Sequence, residues 1–335
     1  MADEQDQGAA APETTAEPAA DRIIPRRDAM ALRLVALAVT LVLAIGIAFV
    51  VVVLTGPPSV DELREQAGLD GKRELLIGVK DDQPGVAEYA NGVWKGFDIQ
   101  IAYMIAEDLG FRRDEIRFLS IESEDRARMQ AVDSDRNRVG VDMVIASFSI
   151  TADRKAMAGV RFSAPYLYTE QSVITLKSHS QVSTLEDLRG KPVCSLAAST
   201  SASAASRAGL VVSSRKKISE CFDALNKGDF DAITTDAAIL AGYKARYPDK
   251  YDHWDIGLDA TEAWGVNVGE NPALETLVNL SLYRSREDPH DNRWEEAFDS
   301  NFKTEEEINK PAPIAVDQQP AVKEPKVRQW PWERV

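Results

Sequence analysis

DMVIASFSITADRKAMAGVRFSAPY, residues 142–166, decides the fold. It opens on a short apolar run, turns through Ser147, Ser149 and Thr151, and enters a helix with Arg154 in its first turn. A short apolar run bounded by a polar turn reads as a buried strand. Strand, turn and helix in that order form the repeating unit of an open α/β sheet. Such sheets bind ligands beyond the carboxyl ends of their strands, where this turn lies. A guanidinium beside hydroxyls and backbone donors at a helix start is a receptor for a small carboxylate. From spacing alone, Arg154 is equally compatible with a surface pairing to Asp153, and Thr151 reads as a helix N-cap.

The same alternation continues outward. ELLIGVK (residues 74–80) is a strand ending at Lys80, DDQPG and YANGVWKGFD are turns, and residues 99–109 carry apolar positions at helical spacing. Residues 116–119 read as a strand, 125–132 as a helix and 141–146 as the next strand. The pattern predicts an α/β domain with a largely parallel sheet. MQAVDSDRNRVGVDMVIA and ALNKGDFDAITT echo one another, each with a hydrophobic–Asp pair (Val141-Asp142, Phe230-Asp231) at a strand entrance. Two similar lobes follow from that echo. Crossovers at residues 172–180 and 256–268 would form a hinge that closes on ligand.

A free amino acid carries a carboxylate and an ammonium close together, so its receptor needs opposite charges converging from nearby elements. Arg154 offers a two-pronged donor for the carboxylate, and Ser147 and Ser149 offer hydroxyls. Asp236, ending the second-lobe strand AITTD, would accept from the ammonium. Ser199, Thr200 and Ser201 follow the strand VCSL and offer further donors. Read singly, Asp236 is a cap or a solvated loop residue and residues 199–201 a polar turn. Tyr166, Tyr168, Trp94 and Trp264 read as packing. No His or Glu lies in these motifs to act as acid or base.

The chain has 335 residues and a formal net charge of −15, with charges of both signs interspersed. An acidic surface argues against nucleic acid or anionic lipid as partner. Residues 1–24, rich in Ala, Glu, Asp, Thr and Pro, read as a disordered tail. Residues 32–54 (LRLVALAVTLVLAIGIAFVVVVL) are long enough to span a bilayer. Arg26 and Arg27 precede this segment and Asp61 and Glu62 follow it, so the positive-inside rule puts the N-terminus in the cytoplasm and the rest outside. A cleaved signal peptide is the alternative. The long apolar core and the lack of a small-x-small cleavage site favour a single-pass anchor, and no cysteine lies nearby for lipid attachment.

The two cysteines, Cys194 in a strand and Cys221 at a helix start, fall in the external portion, where an even count favours a disulfide. The loop it would close, roughly 27 residues, corresponds to about 3 kcal/mol in the chain-entropy model. Two cysteines and three scattered histidines do not suggest a metal site, and no cofactor is expected.

Four segments together resemble bacterial extracellular solute-binding protein family 3, the amino-acid receptors of ABC importers. They are GFDIQIA (residues 96–102), ASFSITADRKAMAGVRFSAPYLY (146–168), LEDLRGKPVC (185–194) and GDFDAITTD (228–236). The resemblance covers residues 72–303. It implies a two-lobed, type II periplasmic-binding-protein-like α/β fold with hinge crossovers, here preceded by one transmembrane helix. It also implies that Arg154 holds the α-carboxylate with Ser149 and Thr200, and that Asp236 and Ser147 hold the α-amino group. GVKDDQPG (residues 78–85) and the VC…EC pair resemble the glutamate/glutamine-type branch, which makes Lys80 a candidate reader of an acidic or amide side chain and Cys194–Cys221 its disulfide. Two departures bear on side-chain specificity. Ala198 stands where the family often has Gly, and DDQPGVAEY lacks an obvious ligand-stacking aromatic.

The expected organisation is a cytoplasmic tail (1–28), an anchor (29–55), a linker (56–71), a binding domain (72–303) and an extended C-terminal tail (304–335). Within the binding domain, lobe 1 covers 72–175 and 262–303 and lobe 2 covers 180–258. The expected function is a monomeric receptor for glutamate, glutamine, aspartate or asparagine that delivers its ligand to an ABC permease in the same membrane. A ligand sensor with the same pocket and a dehydratase-like enzyme on this fold are the alternatives.

Overall fold

The computed structural model describes residues 26–257, 261–310 and 312–328. The tail expected at residues 1–24 and the terminal QWPWERV lie outside them. The chain divides into two compact units, one ending at Gly56 and one beginning at Pro57. The described residues of the first form one helix, α1 (Arg26–Thr55). Its stretch Ala29–Val52 is long and apolar enough to cross a bilayer, and large side chains such as Leu34, Leu41 and Ile45 are exposed along it.

The second unit opens with α2 (Val60–Gln66), where Ser59 and Glu62 form a reciprocal capping box. Lobe 1 contains β1 (Leu75–Val79), a small meander of β2 (Asp82–Gln83), β3 (Ala87–Ala90) and β4 (Val93–Lys95), and α3 (Phe97–Asp108). It continues with β5 (Ile116–Ser120), β6 (Gln130–Val132), β7 (Arg138–Gly140), β8 (Met143–Val144), α4 (Ala152–Lys155) and the first part of β9 (Phe162–Leu176). Lobe 2 takes the rest of β9, then β10 (Pro192–Leu196), α5 (Thr200–Arg207), β11 (Val211–Arg215), α6 (Ile218–Lys227), β12 (Ala232–Asp236), α7 (Ala237–Arg246) and β13 (Tyr251–Trp254). The chain returns through β14 (Thr261–Asn267), followed by α8 (Pro272–Glu287), α9 (Arg293–Phe298) and α10 (Thr304–Ile308).

Each lobe has a parallel heart, β5-β1-β8 in one and β11-β10-β12 in the other. The antiparallel strand β9 joins them. Its residues 162–170 pair with β14, and its residues 171–176 lie between β12 and β13. The first crossover therefore falls between Glu170 and Gln171, earlier than the expected 172–180. Val173 and Ile174 are fully buried in lobe 2 and cannot serve as a free connection. The return connection runs from Trp254 to Thr261 and overlaps the expected 256–268, of which residues 258–260 lie outside the described ones.

The close packing of α3 on the β2–β3 turn dictates one glycine. Gly96 has φ +123°, and a Cβ there would collide with the Val86 carbonyl oxygen. Residues 125–132 do not form the expected helix. They make one 3-10 turn (Arg126–Arg128) and then β6, because the buried Arg126 guanidinium is held by carbonyls from distant loops.

Cys194 and Cys221 form a disulfide, with Cα atoms 5.6 Å apart, that pins α6 to β10. Both are fully buried. Replacing both by alanine is expected to lower stability by about 3 kcal/mol, because the unfolded chain regains its loop entropy. Urea unfolding would show the shift, and an unchanged midpoint would contradict it.

The segment after Phe302 is not a detached tail. It forms α10, and residues 312–328 run without regular structure against the domain, with Ala312, Ile314 and Val322 buried. Thr169 Oγ1 donates to the Ile314 carbonyl, Val316 N to Tyr168 O, and Arg328 forms an ion pair with Glu62 at 2.7 Å. The packed domain thus extends from Ser59 to Arg328, beyond the expected 72–303.

Candidate ligand-binding cleft

The cleft lies where the carboxyl ends of β1, β5 and β8 face those of β10 and β12. The lobes are in contact across it. Lys217 reaches Asp81 at 2.5 Å, Ser219 N donates to Asp82 Oδ2 at 2.9 Å, and Arg246 grips Glu88 with two hydrogen bonds. Among the predicted site residues, Ser147, Ser149 and Arg154 come from lobe 1, and Thr200 and Asp236 from lobe 2.

Thr151 caps α4, its hydroxyl accepting from Arg154 N at 3.2 Å. That fixes the helix start and aims Arg154 back over the turn. Arg154 Nη1 donates to Ser149 O at 2.7 Å and Nη2 to Ala198 O, in the other lobe, at 2.9 Å. The guanidinium stacks on Phe148, its carbon 4.7 Å from the ring centre. Burial lowers its pKa, and Asp236 and Glu262 partly offset that. It stands between two open cavities of about 780 and 390 Å³, both of which also touch Ala198.

Ser147 and Ala198 both adopt left-handed backbone, with φ 45° and 53°. A non-glycine residue in that region is strained, and such strain concentrates at binding sites. The strained Ser147 is held by Asp98, which accepts its N–H at 2.9 Å and the Tyr166 hydroxyl at 3.0 Å. Its own hydroxyl donates to Gln83 Oε1 at 3.1 Å. Burial raises the Asp98 carboxyl to about 7, against the pull of these donors. The GFD segment therefore acts through the Ser147 turn.

Asp236 is buried. Its Oδ2 accepts from Trp264 Nε1 at 2.6 Å and its Oδ1 from Ser201 Oγ at 3.4 Å. Burial first, then the nearby Glu262 carboxylate, raise its pKa to about 7, while Arg126 and Arg154 lower it. Lys80 is also buried, with Nζ donating to Ile121 O at 3.1 Å and Ser123 Oγ at 2.9 Å.

Two cleft residues were missed in the sequence. Glu262, at the start of β14, accepts from the hydroxyls of both Ser149 and Thr200, the latter at 2.8 Å. A glutamate thus does reach the pocket, contrary to the reading from the motifs alone. It is remote from them in sequence, and only its place on the return crossover pointed there. Arg126 donates to the carbonyls of Ser123, Ala146 and Ser147, and its guanidinium carbon also lies 4.7 Å from the Phe148 ring centre. In the sequence it is one charge of EDRAR and gives no signal of burial.

The arrangement places a carboxylate between two hydroxyls, one from each lobe, with the Arg154 guanidinium and the buried Asp236 carboxyl in the same cleft. The profile of the bacterial extracellular solute-binding proteins, family 3, matches residues 75–290. The chain belongs to that family. This family 3 chain is 34 % identical over 221 residues to the glutamate-binding protein GluB of Corynebacterium glutamicum, covering 62 % of this chain and 72 % of that protein. It is 29 % identical over 242 residues to the ABC transporter glutamine-binding protein GlnH of Bacillus subtilis, covering 69 % and 82 %. A membrane-bound lytic murein transglycosylase F, from Ectopseudomonas mendocina, is 26 % identical over 230 residues, 66 % of this chain but 44 % of that protein. Among solved structures, an ancestral arginine-binding protein bound to glutamine superposes with a TM-score of 0.60 at 27 % identity, covering 69 % of this chain and 98 % of that one. The type II periplasmic-binding fold and the amino-acid-binding family are thereby established.

Proposed function

We propose that the chain is a membrane-anchored extracytoplasmic receptor that closes on a polar amino acid (glutamate, glutamine, aspartate or asparagine) and presents it to an ABC permease. One observation carries this reading: the Glu262 carboxylate lies between the hydroxyls of Ser149 and Thr200, one from each lobe. The cleft therefore already coordinates a carboxylate with the donors assigned to the ligand. In the ligated state Arg154 and these two hydroxyls hold the α-carboxylate, and Asp236 and Ser147 hold the α-ammonium. Arg154 then exchanges neutral carbonyl partners for a charged one, which is the stronger hydrogen bond. Helix α1 anchors the receptor with its N-terminus in the cytoplasm.

Binding rather than catalysis fits the site. Of the three histidines only His253 is buried, and its ring nitrogens are engaged by Ser172 and Asn309 in hydrogen bonds of 2.6 Å. The Ser149 hydroxyl donates to the Glu262 carboxylate rather than to a histidine. The transport role is tested by uptake of radiolabelled amino acid in cells with and without the gene. Loss of high-affinity uptake, restored by the wild-type chain, is the expected result. Uptake at the wild-type rate in the deletion would contradict it.

A further inference from the structure

The family profile ends at residue 290, and the chain beyond it runs from one lobe to the other. Helix α9 is packed on lobe 1. Trp294 Nε1 donates to Tyr166 O at 2.8 Å, and the Phe298 and Phe302 ring centres lie 6.5 and 5.0 Å from that of the buried Phe97. A π-helical turn (Asp299–Lys303) leads directly into α10. Just past α10, Asn309 is fastened to lobe 2. Its Nδ2 donates to Ala241 O on α7 at 3.4 Å, and its Oδ1 accepts from His253 Nδ1 on β13 at 2.6 Å. The same region holds both sides of the β9 crossover. On the lobe 2 side, His253 Nε2 accepts from Ser172 Oγ at 2.6 Å. On the lobe 1 side, Val316 N donates to Tyr168 O, and the Thr169 hydroxyl donates to Ile314 O while accepting from Ala238 N of lobe 2 at 3.3 Å.

Glu305 of α10 packs where the lobes meet. Its carboxylate lies so close to Gly85 of lobe 1 that a Cβ there would come within 2.3 Å of Oε1. Burial raises its pKa well above the usual carboxyl range, against the pull of Arg246 in lobe 2. Opening the cleft turns lobe 2 about its two strand connections to lobe 1. Helix α7 and β13 move with lobe 2, whereas α9 stays with lobe 1. The helix between them must then bend, or the Asn309 bonds must break. Asn309 is 1 % exposed and His253 4 %, so breaking those bonds leaves buried polar groups without partners. Bending is easiest at the π turn, where the regular α-helical hydrogen-bond ladder is already interrupted. Either route adds to the cost of opening.

We propose that residues 293–309 are a third connection between the lobes that restrains opening of the cleft, with the π turn as its joint and Asn309 as its clasp on lobe 2. A cleft braced in this way opens less often than one joined by two strand connections alone, and a ligand held between the lobes leaves more slowly. The proposal goes beyond the receptor reading and does not depend on which ligand is bound.

The test is a pulsed electron-spin distance measurement on the detergent-solubilised full chain, stripped of copurified ligand by unfolding and refolding. Spin labels go on Lys155→Cys in α4 and Ser206→Cys in α5, exposed positions on opposite lobes. The native cysteines are buried in their disulfide and take no label. Two changes loosen the brace: Asn309→Ala removes the clasp, and a Gly-Ser insertion after Lys303 adds slack while keeping every clasp residue. In each, the ratio of open to closed chains is expected to rise at least about fivefold over the wild type, the equivalent of one net hydrogen bond. A role confined to folding would lower the thermal midpoint and leave the distances of the folded chain unchanged. Wild-type distance distributions in both folded variants overturn the proposal. Should Asn309→Ala fail to fold, the insertion decides. The measurement uses no ligand, so its failure leaves the receptor reading standing, and absence of amino-acid binding leaves the brace standing.

Discussion

Arg154→Ala is expected to weaken amino-acid binding by at least about a hundredfold. The guanidinium is mostly buried and bonded to carbonyls of both lobes, Ser149 O and Ala198 O. In the closed complex a ligand α-carboxylate would be buried beside it. Removing one partner of a buried ion pair typically costs about 3–5 kcal/mol, and each 1.4 kcal/mol is about tenfold in affinity. Arg154→Lys keeps the charge but loses the fork that reaches Ser149 O and Ala198 O together, so it should recover only part of the loss. Titration of the three proteins with the tightest-binding amino acid checks both statements. Equal affinity in wild type and Arg154→Ala would remove Arg154 from the site.

Asp236→Asn is expected to cost a comparable amount, and it should also remove a pH dependence. In the free protein the Asp236 carboxyl is raised to about 7, first by burial and then by Glu262, while Arg126 and Arg154 oppose the shift. A ligand ammonium favours the carboxylate and so lowers that pKa in the complex. Below about pH 7 the free site therefore carries a proton that the complex releases. Affinity should rise with pH up to about 7 and then level off, with net proton release on binding at acid pH. Titrations in buffers of different ionisation heat measure that release directly. In Asp236→Asn affinity falls and this share of the slope disappears; what remains belongs to other groups such as Asp98. Proton uptake by the wild-type chain at acid pH would contradict the assignment of Asp236 to the ammonium.

Much of the fold is legible because its signals are local. The apolar runs that became β1, β5 and β8, the Thr151 cap and the Asp236 strand end all follow from periodicity and capping, and the Cys194–Cys221 pair follows from an even cysteine count in an external compartment. The turn carrying Ser147, Ser149 and Arg154 is legible for the same reason, since strand, turn and helix are contiguous there. What escaped depends on contacts between distant segments. Arg126 sits in a charged stretch that reads as an exposed helix; carbonyls from the loop after β8 bury it and break the helix. Glu262 comes to Ser149 and Thr200 only because β14 returns along β9. The chain beyond Phe302 reads as extended because its composition shifts to Pro, Glu, Lys and Gln, yet Ile314 and Val322 are buried singly in an irregular run.

The central claim is that the cleft between Arg154 and Asp236 binds a free α-amino acid. Calorimetric titration of the refolded, ligand-free wild-type chain with the twenty amino acids tests it most directly. A dissociation constant on the order of micromolar or tighter is expected for at least one of glutamate, glutamine, aspartate and asparagine. Absence of binding heat with all twenty would contradict it.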